Sequence, residues 1–320
     1  MRARNIRSVL CLRVFAFLAT AAVVSAQPWA YVSNQGDSVT VVNLGTNTIG
    51  AEVPIGSAGL SGLAVTPDGS YLYVAEQSLN SVAVISTSSN SVVATIPVDL
   101  APVRVAITPG GDAVYVANSQ SNDVSVISTA TNTVIDTVAV GTNPVALAVT
   151  PDGQYVLVAN LYSSTISAIS TSSNSVTATW TTLSGPSAIA IGPKGHNAYV
   201  TAQYANSLAV HSVATGEIRE TITGFAAPVS VAVAPNGPVL YVVNGNSSTV
   251  AVVDIAAGTI AATVAVGLLP TSVAVSSDGS MAYITNSFGF SLSEVDTATN
   301  VVQFTLPGVG IFPFSIALHN

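Results

Sequence analysis

Between residues 144 and 180 the chain passes through four short apolar stretches, ALAVT, YVLVAN, TISAIS and SVTATW, each rich in Val, Ile, Thr or Tyr and bounded by Gly, Pro, Asn, Asp or Ser. β-branched and aromatic residues suit a pleated, half-buried surface and the bounding residues suit turns, so the pattern predicts antiparallel strands joined by hairpins. No part of the unit carries a helix-length period. The same pattern recurs along the chain. The turn signal TPDG places Pro67, Pro109, Pro151, Pro193 and Pro235 at intervals of 42, continued by Ser277, and Pro102, Pro144, Pro186, Pro228 and Pro270 keep the same spacing.

Four antiparallel strands per ~40 residues, repeated several times, predict a β-propeller. Residues 27–320 divide into seven units of about 42, which leaves no linker and no second domain. The expected fold is therefore all-β, a single seven-bladed propeller with four-stranded antiparallel blades. The first strand of each unit is the most apolar and has small side chains (LAV, VAI, LAV, IAI, VAV, VAV). That composition predicts an innermost strand packed on both faces by neighbouring blades, with the fourth strand at the outer edge. The first copy, WAYVSNQGDSVTVVNLGTNT from Trp29, lacks this inner strand, whereas SIAL at 315–318 matches SVAV at 272–275. Residues 313–320 are thus expected to complete blade one and close the ring, with burial of Phe314, Ile316 and Leu318 contributing ~1.5–3 kcal/mol each.

The N-terminus reads differently. Arg2, Arg4, Arg7 and Arg13 surround or precede the apolar run at 14–24, and VSA precedes Gln27. A basic segment, an apolar run of ~7–15 residues and small residues before a cut describe a secretory signal peptide, so residues 1–26 are expected to be removed on export to the periplasm or the exterior. The run is short for a membrane span of ~20 residues, and no other stretch of that apolar length lacks turn residues, so no span is expected in the mature chain. The single cysteine, Cys11, lies in this segment, which leaves no disulfide. Loss of the four arginines takes the formal charge from −8 to −12. A surface so short of clustered Lys and Arg excludes nucleic acid as a partner, and 49% hydrophobic against 7% charged residues favours a large core over a disordered chain.

The second strands read YVSN (Tyr31), YVAE (Tyr73), YVAN (Tyr115), LVAN (Leu157), YVTA (Tyr199), YVVN (Tyr241) and YITN (Tyr283). With the PxxVAVxPDG and VxVIDTxTNTVxxTIxVG patterns they resemble the repeats of the YVTN β-propeller family of bacterial secreted and archaeal surface-layer proteins. The resemblance spans the mature chain and implies the propeller fold. Similar propellers include lactonases and haem- or quinone-carrying domains, so fold leaves the chemistry open.

Aligned columns separate backbone needs from chemistry. Gly69, Gly111, Gly153, Gly195, Gly237 and Gly279 share a turn position that predicts positive φ. Asn90, Asn132, Asn174, Gly216, Gly258 and Asn300 share another, where Asn and Gly exchange as a left-handed backbone allows. Asn34, Asn118, Asn160, Asn244 and Asn286 end the second strand, with Glu76 and Ala202 as exceptions; they satisfy adjoining backbone groups or form a ring of amides near the channel mouth. Departures from the repeat are where function is sought. Arg104 stands in a column otherwise Gly62, Ala146, Ala188, Ser230, Ser272 and Ser315, at the start of an innermost strand. Glu76, on the same face of the preceding blade, is its candidate partner. The pair reads as a structural ion pair, a site for an anionic or polyol ligand, or a solvated charge. A second departure is aromatic: Tyr162, Tyr204 and Phe288 share a loop column, with Phe290 beside them. They form either an exposed binding surface or caps on the blade ends.

No catalytic constellation is evident. The three histidines, His196, His211 and His319, are not at metal-ligand spacing, and neither a G-x-S-x-G elbow nor a P-loop appears. No metal or cofactor is expected. The leading reading is an exported monomeric binding or surface scaffold protein, whose cell-surface, glycan or protein ligand meets the face bearing Arg104, Tyr162, Tyr204 and Phe288. The alternative is a lactonase-like hydrolase or lyase using Arg104 and Glu76, and a third is a haem- or quinone-binding propeller in electron transfer.

Overall fold

The computed structural model describes residues 28–56, 59–235 and 238–319; the signal segment expected at residues 1–26, with its expected cleavage site, lies outside the described residues. The strands form seven four-stranded antiparallel sheets. Blade two comprises Leu60–Val65, Tyr71–Glu76, Ser81–Ser86 and Ser91–Pro97, blade three follows from Pro102–Ile107, and the same order repeats through blade seven. Inner strands of successive blades pack against one another around the whole ring.

Blade one is completed as the sequence predicts. Pro313–His319 pairs antiparallel with Trp29–Asn34, aligning Trp29 with His319 and Val32 with Ile316. The burial differs in one respect. Ile316 is buried and Leu318 half-buried, but the register skips Phe314 between Ser33 and Asn34. Phe314 is the extra residue of a β-bulge, which re-aims its side chain out of the core.

The core lies between sheets. One cluster joins Tyr31, Val39 and Val41 of blade one to Leu60, Leu72 and Val74 of blade two, and equivalent clusters fill the following interfaces. The second and third strands are the most deeply buried, as Tyr71–Glu76 and Ser81–Ser86 illustrate, whereas inner strands such as Pro102–Ile107 are half open. The expectation that the inner strand is packed on both faces is corrected accordingly: part of each inner strand faces the central channel. The fourth strand is the exposed edge, as expected, with Ser91–Pro97 largely exposed.

The turns carry the backbone roles predicted for them. Gly69 and Gly153 have φ of 71° and 72°. Around Gly69, Thr66 Oγ1 donates to Asp68 Oδ1 at 2.5 Å and the Ser70 amide donates to the same oxygen at 3.0 Å. These bonds hold the exposed Asp68 carboxyl down at about 2. Asn90, Asn132, Asn174 and Asn300 likewise have positive φ.

Candidate binding site at the channel mouth

At one end of the ring, residues from all seven blades enclose a cavity of about 410 Å³. Its floor is set by a recurrent irregularity. In blades three to seven the residue after the inner-strand proline is skipped in the ladder, as Val103 is between the Pro102–Asn118 and Arg104–Ala117 pairs. The bulge turns that residue inward, so Val103, Val145, Ser187, Val229 and Thr271 line the cavity, together with Ser61 and Phe314. Gln35, Gln77, Leu161, Gln203 and Gly245, each one residue beyond a second strand, form the rim. The bulge hydroxyls tie blades together: Ser61 Oγ donates to the Val103 carbonyl at 3.0 Å, Ser187 Oγ to the Pro228 carbonyl at 2.6 Å and Thr271 Oγ1 to the Pro313 carbonyl at 3.1 Å.

Arg104 lines this cavity as the single titratable residue among those lining it. Its position depends on Gly62, because a Cβ there would stand 2.7 Å from Arg104 Cα and 2.8 Å from the Val103 carbonyl oxygen. The guanidinium carbon lies 4.9 Å from the centre of the Phe314 ring, within the reach of a cation–π contact, and Nη1 donates to the Val103 carbonyl at 3.4 Å. Desolvation among the inner strands pushes the guanidinium down to about 10. It remains a cation at neutral pH, held in a place where a full charge is poorly hydrated.

The other predicted residues fall in two groups. Glu76 is 2% exposed and accepts a hydrogen bond from Ser81 Oγ at 2.8 Å; it is not among the residues lining the cavity. It occupies the place of the strand-end asparagines, all buried, whose Nδ2 groups bind third-strand side chains of their own blade: Asn34 with Thr40 (2.9 Å), Asn118 with Asp123 (2.7 Å) and Ser125 (2.8 Å), Asn160 with Ser167 (3.0 Å), Asn244 with Thr249 (3.1 Å), Asn286 with Ser293 (2.9 Å). Their main partners are side chains rather than loop backbone, although the Ala226 amide donates to Asn244 Oδ1 at 3.1 Å. These asparagines join strands and do not line the cavity.

Tyr162, Tyr204, Phe288 and Phe290 are exposed, outside the cavity and one loop residue or more beyond its rim. Tyr204 lies against the backbone of Gly185, where a Cβ would meet its ring at 2.4 Å. Phe288 and Phe290 both contact Phe312, with ring centres 5.6 and 5.4 Å apart. Phe290 and Phe312 adopt φ of 47° and 53°, an uncommon conformation for bulky residues. Asn80, Asn122 and Asn206 fill the Phe290 column with the same backbone. Sequence reading missed Gln35, Gln77, Gln203 and Phe314; the signal that finds the glutamines is their recurrence one position before the aromatic column. Among the described residues, no cluster of three or more His, Cys, Asp or Glu side chains is gathered as a metal site.

Comparison with solved structures places this geometry among propellers of diverse roles. The chain is similar to hydrazine synthase of Kuenenia stuttgartiensis (23% identity, TM-score 0.78, 84% of this chain and 92% of that one). It is also similar to a functionally unknown protein of Desulfotomaculum acetoxidans (19%, 0.81, 91% and 98%) and to a candidate 6-phosphogluconolactonase of Bacteroides fragilis (15%, 0.77, 92% and 98%). At these identities the likeness speaks for the fold. No curated protein sequence matches. Residues 97–218 match the YNCE-like β-propeller family, and residues 28–134 and 168–277, more than half the chain, match the family described as lactonase, 7-bladed β-propeller. The chain therefore belongs to the seven-bladed β-propeller lactonase family.

Proposed function

We propose that the protein is an exported binding protein, of the YVTN secreted or surface-layer kind, that holds a small oxyanionic, polyhydroxylated ligand at the channel mouth. One observation carries the reading: a lone desolvated guanidinium stands where seven blades meet, among amides and hydroxyls, and no carboxylate or imidazole lines the same cavity among the described residues. A guanidinium anchors a carboxylate by charge-assisted hydrogen bonds but is a poor proton acceptor at neutral pH. The Gln35, Gln77 and Gln203 amides suit hydroxyl groups, and the exposed Tyr162, Tyr204 and Phe288 form an apolar collar outside them. The signal-like residues 1–26 support export.

Calorimetric titration with gluconate tests this. Saturable binding is expected, weakened about tenfold or more by Arg104→Gln, as loss of a hydrogen bond to a charged group of ~1.5–3 kcal/mol implies. Affinity is expected to hold from pH 6 to 9, a range over which the Arg104 guanidinium stays charged. Absence of binding, or equal binding by the variant, refutes the reading. Family membership favours a second one, hydrolysis of a sugar lactone, the chemistry for which the Bacteroides fragilis relative is named. Turnover of glucono-δ-lactone that is lost in Arg104→Ala or Glu76→Ala would replace binding with catalysis.

A further inference from the structure

Away from the channel, on the flank between blades four and five, lies a second cavity of about 450 Å³. The residues around it depart from the repeat together. Leu157 stands in a column of tyrosines, Trp180 in one of Ile96, Val138, Ile222, Val264 and Leu306, and His211 in one of Ile85, Ile127, Ile169, Val253 and Val295. His211 is fully buried. Its Nδ1 is 2.8 Å from the Gly216 carbonyl and its Nε2 2.9 Å from Thr182 Oγ1. A carbonyl only accepts, so Nδ1 carries the proton and Nε2 accepts from the Thr182 hydroxyl. Trp180 stacks on this imidazole at 6.0 Å and 20°, and covers Gly216, where a Cβ would stand 2.2 Å from the indole. The indole is thereby fixed, half-buried, in the cavity wall.

The polar groups of the same wall are of both signs. Arg219 is the unpaired residue of a bulge in the fourth strand of blade five, and its guanidinium is held by Asn197 Oδ1 at 2.7 Å and Ser212 Oγ at 3.0 Å, both neutral. Asp152 faces the cavity from blade four, its Oδ1 accepting from Thr150 Oγ1 at 2.6 Å and the Gln154 amide at 3.0 Å. His196 is exposed at the rim, and Tyr155 adds a second aromatic surface. A strong anion meets Asp152 and a strong cation meets Arg219, while a wholly apolar ligand takes water from both charges and offers no hydrogen bond in return. A neutral ring with apolar C–H faces and a rim of hydroxyls satisfies the aromatic and the charged groups at once, in a pocket of the usual ligand-binding size of ~300–1,000 Å³.

We propose that the cavity between blades four and five is a saccharide-binding site, with Trp180 and Tyr155 as the platform for the sugar ring and Arg219, Asp152 and His196 as partners for its hydroxyls. The two tryptophans are Trp29 and Trp180, so Trp29→Phe leaves Trp180 as the only indole reporter. The exported chain carrying that change is titrated with maltose, cellobiose and diacetylchitobiose, and with benzoate and tetramethylammonium as an anion and a cation. At least one disaccharide is expected to shift Trp180 emission saturably. Arg219→Ala is expected to weaken that binding about tenfold or more, in line with a charged hydrogen bond of ~1.5–3 kcal/mol. Trp180→Val, which installs the residue of blade three and so suits the fold, is expected to abolish binding read by calorimetry, and Arg104→Gln to leave it unchanged. The proposal is overturned if no disaccharide saturates, if only benzoate or tetramethylammonium binds, or if Arg219→Ala binds as tightly as the parent.

Discussion

The interface between blades two and three and the interface between blades four and five use the same columns for different ends. In the first, the buried Tyr73 crosses the apolar layer and its hydroxyl donates to Asn132 Oδ1 of the next blade at 2.7 Å; Tyr115 and Asn174 repeat the contact at 2.8 Å. Burial raises both phenols, Tyr115 to about 12 with help from the Asp112 and Asp136 charges. In the second, both partners are gone, replaced by Leu157 and Gly216, and Trp180 lies over the glycine instead. Loss of one partner alone would strand a buried polar group at a cost of ~1–3 kcal/mol. At this interface both members of the pair leave the consensus together, so neither strands the other, and the paired change opens room for a different wall.

The largest effect is expected from putting back half of the regular pair. Gly216→Asn drives a Cβ into Trp180, with positions 2.2 to 2.4 Å from three indole atoms, and is expected to cost about 1–3 kcal/mol as overpacking does, read from denaturant midpoints. Adding Trp180→Val should recover most of the loss, and adding Leu157→Tyr should complete the ordinary contact. A neutral Gly216→Asn would mean that the indole is not what the glycine accommodates.

A smaller effect separates the interfaces by pH. Burial pushes the His211 imidazole below its ordinary 6.5, only partly offset by the Gly216 carbonyl. The unfolded chain therefore binds the proton first as the pH falls. Stability from this group is complete above pH 6.5 and declines below it, by up to about 1.4 kcal/mol per pH unit. His211→Ile, the residue of blades two to four, is expected to flatten thermal stability between pH 6.5 and 5. An unchanged slope would assign it to other groups.

The fold was legible because its requirements are local and repeated: prolines at 42-residue intervals, glycines where φ is positive, and Val-, Ile- and Tyr-rich strands. The closing strand was legible for the same reason. The site was legible only in part. Arg104 stood out by type, but the residues beside it were assigned one position off. A bulge after each inner-strand proline, invisible in strict alternation, turns Val103, Ser187 and Phe314 to the channel, and in strands a one-residue shift exchanges faces. In the loops after the second strands, Gln77 and Gln203 line the cavity while Tyr204, the residue after Gln203, lies outside it. At the second cavity, Leu157, Trp180, His211 and Gly216 were each visible alone. Leu157 and Gly216 stand 59 residues apart on neighbouring blades, as the bonded Tyr73 and Asn132 do, and no local pattern records the pairing.

The smallest effect tests the comparison at its root. Tyr73→Phe deletes the hydroxyl that reaches Asn132 and is expected to cost about 0.5–1.5 kcal/mol, the net worth of one hydrogen bond. Tyr199 sits in the same column and is equally buried, but its counterpart is Gly258, and among the described residues its hydroxyl makes no hydrogen bond. Tyr199→Phe should therefore stay within about 0.5 kcal/mol, the range of substitutions that break nothing specific. Coupling should follow the same division. Tyr73→Phe and Asn132→Gly are expected to be non-additive by at least about 0.5 kcal/mol, as contacting residues are, whereas Tyr199→Phe should add to any change at 258. Equal losses at Tyr73 and Tyr199 would show that the ring, not the hydroxyl, carries the column, and then Leu157 would be an ordinary apolar exchange with no bearing on Gly216.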